Sequence, residues 1–390
     1  MSSVAVASAL NVRNARLPRA LPAWVYRNAE LSRLELERIV LPSWQIVCHV
    51  NSIAKPGDFV TLDVGPESVV VLRDRDGSIR AYHNACRHRG ARLLDGSGTC
   101  PGPITCPYHG WSYRHDGSLV GVPVRESFPG LDRSEFTLKS VPIEIAFSFV
   151  FVAMRGDPPS VAATWGPLIE EFAPYRFDEM VPLGPISYDT WEVDWKVAMD
   201  NYLESYHVPI GHPGLNRMFT PDYEDQSAAS TVARGVSWLR EQESSVWSER
   251  MYQRLVGKIA THVPESQRRS WRFYSALPNL GIDVFPDQMD FFQVLPAGPG
   301  RCVIRSALFG LPDARPEMRA LRYLSNRINT QVNNEDRWLC QRVQRGLESS
   351  SYEPGPLSRL EQWMMQFHAV LRERIPEVSL PSAPGHFAPL

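Results

Sequence analysis

No stretch of the 390-residue sequence approaches the roughly 18 consecutive apolar residues that a membrane-spanning helix needs, so no membrane partner is expected. The opening Met1 to Leu10 is too short and too poor in charge for a secretory signal, which leaves a cytoplasmic setting as the expectation. Basic clusters are missing as well, and a formal net charge of -2 argues against a nucleic-acid partner. Six cysteines, at 48, 86, 100, 106, 302 and 340, are too scattered in so long a chain to form a disulfide framework. There is no G-x-G-x-x-G fingerprint, hence no flavin or nicotinamide domain of that kind, and no internal repeat or low-complexity tract. With 43% hydrophobic and 22% charged residues, the composition is that of a globular protein able to bury the cores of two domains or more.

Two of the cysteines belong to a short stretch rich in metal-ligand chemistry. Cys86 and His88, then Cys106 and His109, read C-x-H-x17-C-x-x-H. Thiolate with imidazole suits zinc or an iron–sulfur centre. Structural zinc sites mostly group like ligands with like, whereas each pair here mixes one Cys with one His. Mixed pairs suit two irons of different kind, one taking two thiolates and the other two imidazoles, which is the Rieske [2Fe–2S] arrangement. The flanks read as small antiparallel sheet: "FVTLDV" and "SVVVL" alternate, "RDRDG" supplies a turn at Gly77, and "SIRAY" resumes the strand. Gly110 and Gly117 mark a close backbone approach and a turn, and Ser112 and Tyr113 are candidates to tune the cluster.

Cys86-x-His88 with Cys106-Pro-Tyr-His109-Gly-Trp resembles the Rieske domain of ring-hydroxylating oxygenase large subunits. A Rieske domain alone only moves electrons, and a further 280 residues follow. They contain "DNYLESYHVPIGHPG", Asp200 to Gly214, in which His207 and His212 stand five apart. On an unbroken helix five residues turn through about 500°, so the rings would point roughly 140° apart. Pro209 and Gly211 are placed to loosen it and bring the rings together, Gly211 by permitting unusual dihedrals. Two imidazoles and one carboxylate with open positions make the facial triad of non-haem Fe(II) oxygen chemistry.

The carboxylate is sought in "NRINTQVNNEDRWLCQRVQRGLES", which reads as a helix with an apolar stripe of Leu321, Leu324, Val332, Leu339, Val343 and Leu347. Glu335 and Asp336 flank the stripe on opposite sides, so periodicity does not choose between them. The resemblance does: Glu335 to Leu347 is similar to the end of the choline, glycine betaine and carnitine oxygenase group, in which the Asp is the ligand, and Asp336 is therefore expected. The family pattern N-x-x-(D/E)-x-x-H-x4-H is matched by Asn201, Glu204, His207 and His212. It implies that Glu204 couples the cluster of one subunit to the iron of its neighbour; Asp200 and Asn201 are counted with it as catalytic candidates. Glu204 in N-Y-L-E-S-Y-H is more like the trimethylammonium subgroup than the aromatic-ring members, many of which have Asp there. The C-terminal run Tyr352, Gly355, Leu357, Ser358, Glu361, Phe367, His368 and Arg372 also resembles that group, with His368 read as a packing or hydrogen-bonded histidine.

Three regions follow. A helical segment, 1–43, packs on the catalytic part through "LSRLELERIVLPSW", and 44–154 forms the Rieske domain. The catalytic domain, 155–390, begins at "RGDPPS" and carries long helices at 240–260, 315–348 and 357–374. The expected fold class is α+β, a small antiparallel Rieske domain beside a catalytic domain whose antiparallel sheet is flanked by long helices. The resemblance implies a terminal oxygenase that takes NAD(P)H-derived electrons from a separate reductase, directly or through a ferredoxin. It also implies assembly as a homotrimer, with a small β subunit as a further partner in some members. Trp191, Trp195, Trp238, Trp247, Trp271, Phe273, Tyr274, Phe285, Phe291 and Phe292 could cage a quaternary ammonium, pack as core, or line a pocket for an aromatic substrate. Hydroxylation or demethylation of an aromatic compound is the runner-up, and a non-catalytic electron carrier or sensor the reading of a different class; about two irons per chain instead of three would favour the latter.

Overall fold

The computed structural model describes residues 17–221, 224–229 and 231–387, so the Met1 to Leu10 stretch lies outside the described residues. After a first strand, β1 (Gln45–His49), the alternating segments fold as expected of a half-buried sheet: β2 (Asp58–Val64), β3 (Glu67–Arg73), β4 (Ile79–His83) and β5 (Ser97–Thr99) make an antiparallel sheet in the order β4-β3-β2-β5. The turn between β3 and β4 uses Gly77 at φ +86°, a left-handed conformation that favours glycine. Three short strands, β6 (Ile104–Thr105), β7 (Ser112–Tyr113) and β8 (Leu119–Gly121), form a second sheet. Then β9 (Ile143–Ala146) and β10 (Phe149–Val152) form a hairpin whose second strand pairs with β1, in the order β1-β10-β9.

Beyond residue 155 the chain builds an eight-stranded antiparallel sheet. Its strands are β11 (Val181–Pro182), β12 (Ser187–Trp191), β13 (Glu224–Ala229), β14 (Val232–Trp238), β15 (Ser270–Ala276), β16 (Leu280–Val284), β17 (Met289–Pro296) and β18 (Cys302–Gly310). They run β11-β18-β17-β16-β15-β14-β13, with β12 also on β18. Strand side chains alternate between faces, and here the faces have different fates. Val232, Tyr274, Ile282, Val284, Met289, Phe291 and Phe309 enter one core with Phe149, Phe151 and Phe177, which seats β10 on that face. Arg305, fully buried, reinforces the seat by donating to the Ile46 and Val47 carbonyls. The other face looks onto the functional region.

The helices are α1 (Ala29–Glu35), α2 (Val161–Trp165), α3 (Trp195–Tyr202), α4 (Val208–Gly211), α5 (Pro213–Met218), α6 (Trp247–Ile259), α7 (Pro316–Gly346) and α8 (Gln362–Arg374). In α1, Asn28 caps the first turn through Leu31 N at 2.8 Å, and the helix widens into a π-helical turn over Leu36–Val40 before Pro42. The expected helix at 240–260 starts only at Trp247, because Ser244 ahead of it folds back onto Glu249 and Gln253. Buried Lys196 of α3 pairs with Glu35 at 2.8 Å and Asp194 at 2.6 Å, tying the N-terminal segment to the catalytic part. No helix among the described residues is long and apolar enough to cross a membrane.

Candidate iron sites

The two Cys–His loops are built alike. Gly90 N donates to the Cys86 carbonyl at 2.9 Å and Gly110 N to the Cys106 carbonyl at 3.0 Å, each glycine four residues after its cysteine with φ near +70° (73° and 71°). At Gly110 a Cβ would also meet Pro123 Cγ at 3.0 Å. Gly117, φ +85°, lies so close to Tyr82 that a Cβ would be 2.7 Å from the ring. The loops bring the His88 and His109 rings to 4.7 Å between centroids, and Trp111 stacks on His88 at 4.8 Å. Both thiols are buried. Tyr113 OH lies 3.3 Å from Cys86 Sγ and accepts from Arg87 N at 3.0 Å, whereas Ser112 turns to Gly110 O and Thr105 and does not touch the sulfur. Burial raises the Cys86 thiol pKa, and burial with the neighbouring His109 lowers that of His88.

This donor set fits a Rieske cluster. His88 Nδ1 is buried without a hydrogen-bond partner among the described residues, the condition of a nitrogen meant for a metal. Among the described residues, three donors close to single-ion size only at His207, His212 and Asp336, whose ligating atoms lie within 4.8 Å of one another. The Cys–His set is not drawn that tight, as zinc would require.

That second group forms where α3 ends. Leu203 breaks the helix, α4 is a single turn beginning just after His207, and His212 leaves helical geometry at φ -122°, ψ 78° before α5. Pro209 sits at the start of α4, where its missing N–H costs nothing. Gly211 acts differently from expectation: its φ is not in the left-handed region, and it is needed for space, since a Cβ there would be 2.8 Å from Leu339 Cδ1 and 3.3 Å from His207 Cδ2. The result faces His207 Nε2 onto His212 Nε2 at 3.2 Å, with Asp336 Oδ1 at 3.5 and 2.9 Å from them. Burial alone would lower the His207 pKa, but Asp336 and Glu204 raise it to about 9; Asp336, although burial works upward, is held at about 2 by the two imidazoles. Three groups that stabilise a positive charge at their centre, two of them presenting facing ring nitrogens, fit a divalent iron.

Around them the remaining candidates separate. Glu204 accepts from His207 N at 3.0 Å and meets His207 Nδ1 at 2.5 Å. Asn201 donates to Asp336 Oδ1 at 2.7 Å. Asp200 is turned away from the converging atoms and binds His368 Nε2 at 2.9 Å and Tyr26 OH at 2.7 Å, so it supports α3 from behind. Glu335 grips the outer nitrogen of His212, Nδ1, at 2.9 Å. Arg337 pairs with Asp189 at 3.2 Å rather than with Asp336.

The site opens into a cavity of about 600 Å³ between α7 and the free face of the large sheet. Of the aromatic residues singled out in the sequence, Trp191, Trp271, Phe273 and Phe292 line it. Trp195, Tyr274, Phe285 and Phe291 are fully buried core, and Trp247 is exposed. Tyr202 and Phe219 line the cavity without having been singled out; neither stands in a pattern that marks a pocket.

Comparison with known proteins gives two family matches, the Rieske [2Fe-2S] domain over residues 43–142 and the catalytic domain of the ring-hydroxylating alpha subunit over 177–377. The glycine betaine monooxygenase oxygenase subunit of Chromohalobacter salexigens is 28% identical over 383 residues, 90% of this chain and 85% of that one. The chloroplastic choline monooxygenase of Arabidopsis thaliana is 31% identical over 369 residues, covering 91% and 82%. Among solved structures, a quaternary ammonium Rieske monooxygenase studied for carnitine oxidation by gut microbiota and inter-subunit electron transfer superposes with a TM-score of 0.78 at 22% identity, covering 92% and 96%, and has the same fold.

Proposed function

The chain belongs to the ring-hydroxylating alpha-subunit family of Rieske oxygenases, and from that premise we propose that it oxidises a small quaternary ammonium compound by hydroxylation or oxidative demethylation. As an oxygenase subunit of a Rieske system it carries a [2Fe–2S] cluster and a mononuclear iron and needs O2, substrate and a reductase. In our reading Cys86, His88, Cys106 and His109 hold the cluster, and His207, His212 and Asp336 hold the iron. When bound, these groups supply electron transfer and O2 chemistry. The protein does the rest. Glu204 and Glu335 fix the His207 and His212 rings from their outer nitrogens, Asn201 fixes Asp336, and the cavity walls orient substrate and exclude water.

The observation that carries the substrate class is relationship over nearly the whole chain to oxygenases named for choline and glycine betaine. The three-region division, 1–43, 44–154 and 155–390, is part of the same reading, as is a homotrimer in which Glu204 links the cluster of one subunit to the iron of the next. Six unpaired cysteines support a reducing, cytoplasmic setting. The test is O2 uptake by anaerobically purified, iron-loaded protein with a surrogate reductase and NADH, products followed by mass spectrometry. Uptake with trimethylammonium compounds is expected; uptake confined to aromatic carboxylates or methoxyaromatics would overturn the substrate class.

A further inference from the structure

The register of the large sheet puts two acids where nothing in the sequence marks them. Across five adjacent strands Gly235 pairs with Phe273, Phe273 with Asp283, Asp283 with Asp290, and Asp290 with Leu308. All five line the cavity, while their neighbours Ile282, Val284, Met289 and Phe291 enter the core behind. The β16–β17 hairpin closes through Phe285 N to Gln288 O at 2.9 Å, and that closure sets Asp283 directly opposite Asp290. Like charges so placed destabilise a sheet. Asp283 Oδ1 accepts from Tyr202 OH at 2.8 Å, but the Asp290 carboxyl has no hydrogen-bond or ion-pair partner among the described residues. Burial pushes the Asp283 carboxyl up to about 7, and burial with the neighbouring Asp283 holds that of Asp290 well above its ordinary value.

The rest of the lining supplies no counter-charge. Asp189, Glu204, Asp283, Asp290 and Asp336 face the cavity, and among the described residues no Lys or Arg does. Asp189 has Arg337, while Glu204 and Asp336 answer the imidazoles. Among the described residues, the opposed pair alone of these acids has no cationic side chain to answer it. Phe273 and Phe292 flank it, and Gly281 makes room for Phe292, since a Cβ there would stand 2.3 Å from that ring. Aromatic faces beside half-buried carboxylates on a cavity wall favour a positive charge and penalise a negative one.

We propose that Asp283 and Asp290 are the specificity-determining pair of this cavity, seating the cationic head of a substrate that carries no carboxylate of its own. This rests on the ammonium reading above and narrows it. A zwitterion such as glycine betaine or carnitine would bring a carboxylate into a lining with no basic side chain to receive it. A cationic alcohol such as choline meets no such penalty, and its charge lets both acids ionise.

The test is calorimetric binding to the iron-loaded holoenzyme, with choline and tetramethylammonium set against glycine betaine, L-carnitine and benzoate. Choline is expected to bind at least about tenfold tighter than either zwitterion, with benzoate not bound. Asp290→Asn and Asp283→Asn should each weaken choline by about tenfold or more, the loss that follows removal of a charge contact shielded from water by the bound ligand. The cluster spectrum and iron content should stay unchanged and the melting midpoint should rise, because a repulsion is relieved. A merely structural pair would not lose affinity while gaining stability. Tighter binding of a zwitterion or benzoate, or choline affinity unmoved by both substitutions, would overturn the proposal. If trimethylammonium compounds are turned over while the two variants bind them normally, the pair is wrong and the substrate class stands. If O2 uptake occurs only with aromatic compounds, both fall.

Discussion

Glu335 and Asp336 are consecutive residues that hold opposite ends of one imidazole: Asp336 Oδ1 lies 2.9 Å from His212 Nε2, and Glu335 Oε2 lies 2.9 Å from Nδ1. Gln331 donates to the other oxygen of Glu335 at 2.9 Å, so the grip is itself held. A carboxylate behind a ligating histidine fixes its tautomer and raises its basicity, and loss of such a partner typically lowers metal affinity about 10- to 100-fold. Glu335→Gln is therefore expected to weaken Fe(II) binding by that factor with the Rieske spectrum intact, read by iron content against free Fe(II); undiminished occupancy would deny Glu335 this role. His207→Ala should abolish turnover while leaving the visible spectrum of the cluster. The sequence placed both acids at the edges of the helix stripe but gave no choice between them, since helical periodicity says which face a residue takes and nothing of what stands 123 positions away. Val343, counted in that stripe, is 53% exposed, because past Asp336 the helix packs through Cys340 and Gln344 instead.

At the scale of elements, the β16–β17 hairpin carries a third acid, buried on its turn. Asp287 lies between the hairpin and the helices α6 and α7; it accepts from Tyr252 OH at 3.1 Å, while its other oxygen has no partner among the described residues. Burial pushes its carboxyl up to about 7, only partly offset by Tyr252 and by Arg322. An aspartate in the unfolded chain titrates near 4, so between about pH 4 and 7 the folded chain keeps a proton that the unfolded chain has released. Stability from this group is thus greatest at the acid end and falls as pH rises through the folded value, by on the order of a few kcal/mol in all. Asp287→Asn should come nearest to the wild type near pH 4 and melt clearly higher at pH 8; equal melting differences at both values would contradict this. An antiparallel sheet in this domain was expected from the sequence, but the opposition of Asp283 to Asp290 was not legible there. It depends on where the hairpin closes, and a shift of one residue would turn every side chain to the other face. A departure from one straight helix around the two histidines was legible from Pro209 and Gly211, but the break falls earlier, at Leu203, and the residues between His207 and His212 form a helical turn of their own; the space Gly211 leaves for Leu339 belongs to tertiary contact.

At the scale of the whole molecule, the large sheet stands between the Rieske-side strands and the cavity. Phe149 of β10 packs on Phe291, whose neighbours Asp290 and Phe292 line the opposite face. The loops that carry the Cys–His pairs meanwhile present an outer edge to solvent, with Arg89 exposed and Tyr108 57% exposed beside half-buried His109. In the proposed homotrimer, this edge is the one from which electrons pass to the iron site of a neighbouring subunit. In a ring of identical subunits joined head to tail, each interface offers one donor and one acceptor. A chain with Cys86→Ala and a chain with Asp336→Ala should therefore each be inactive alone. Co-assembled in equal amounts they should recover activity, because about one directed interface in four joins an intact cluster to an intact iron site. Transfer within a subunit predicts no recovery at all, since no chain in the mixture holds both sites.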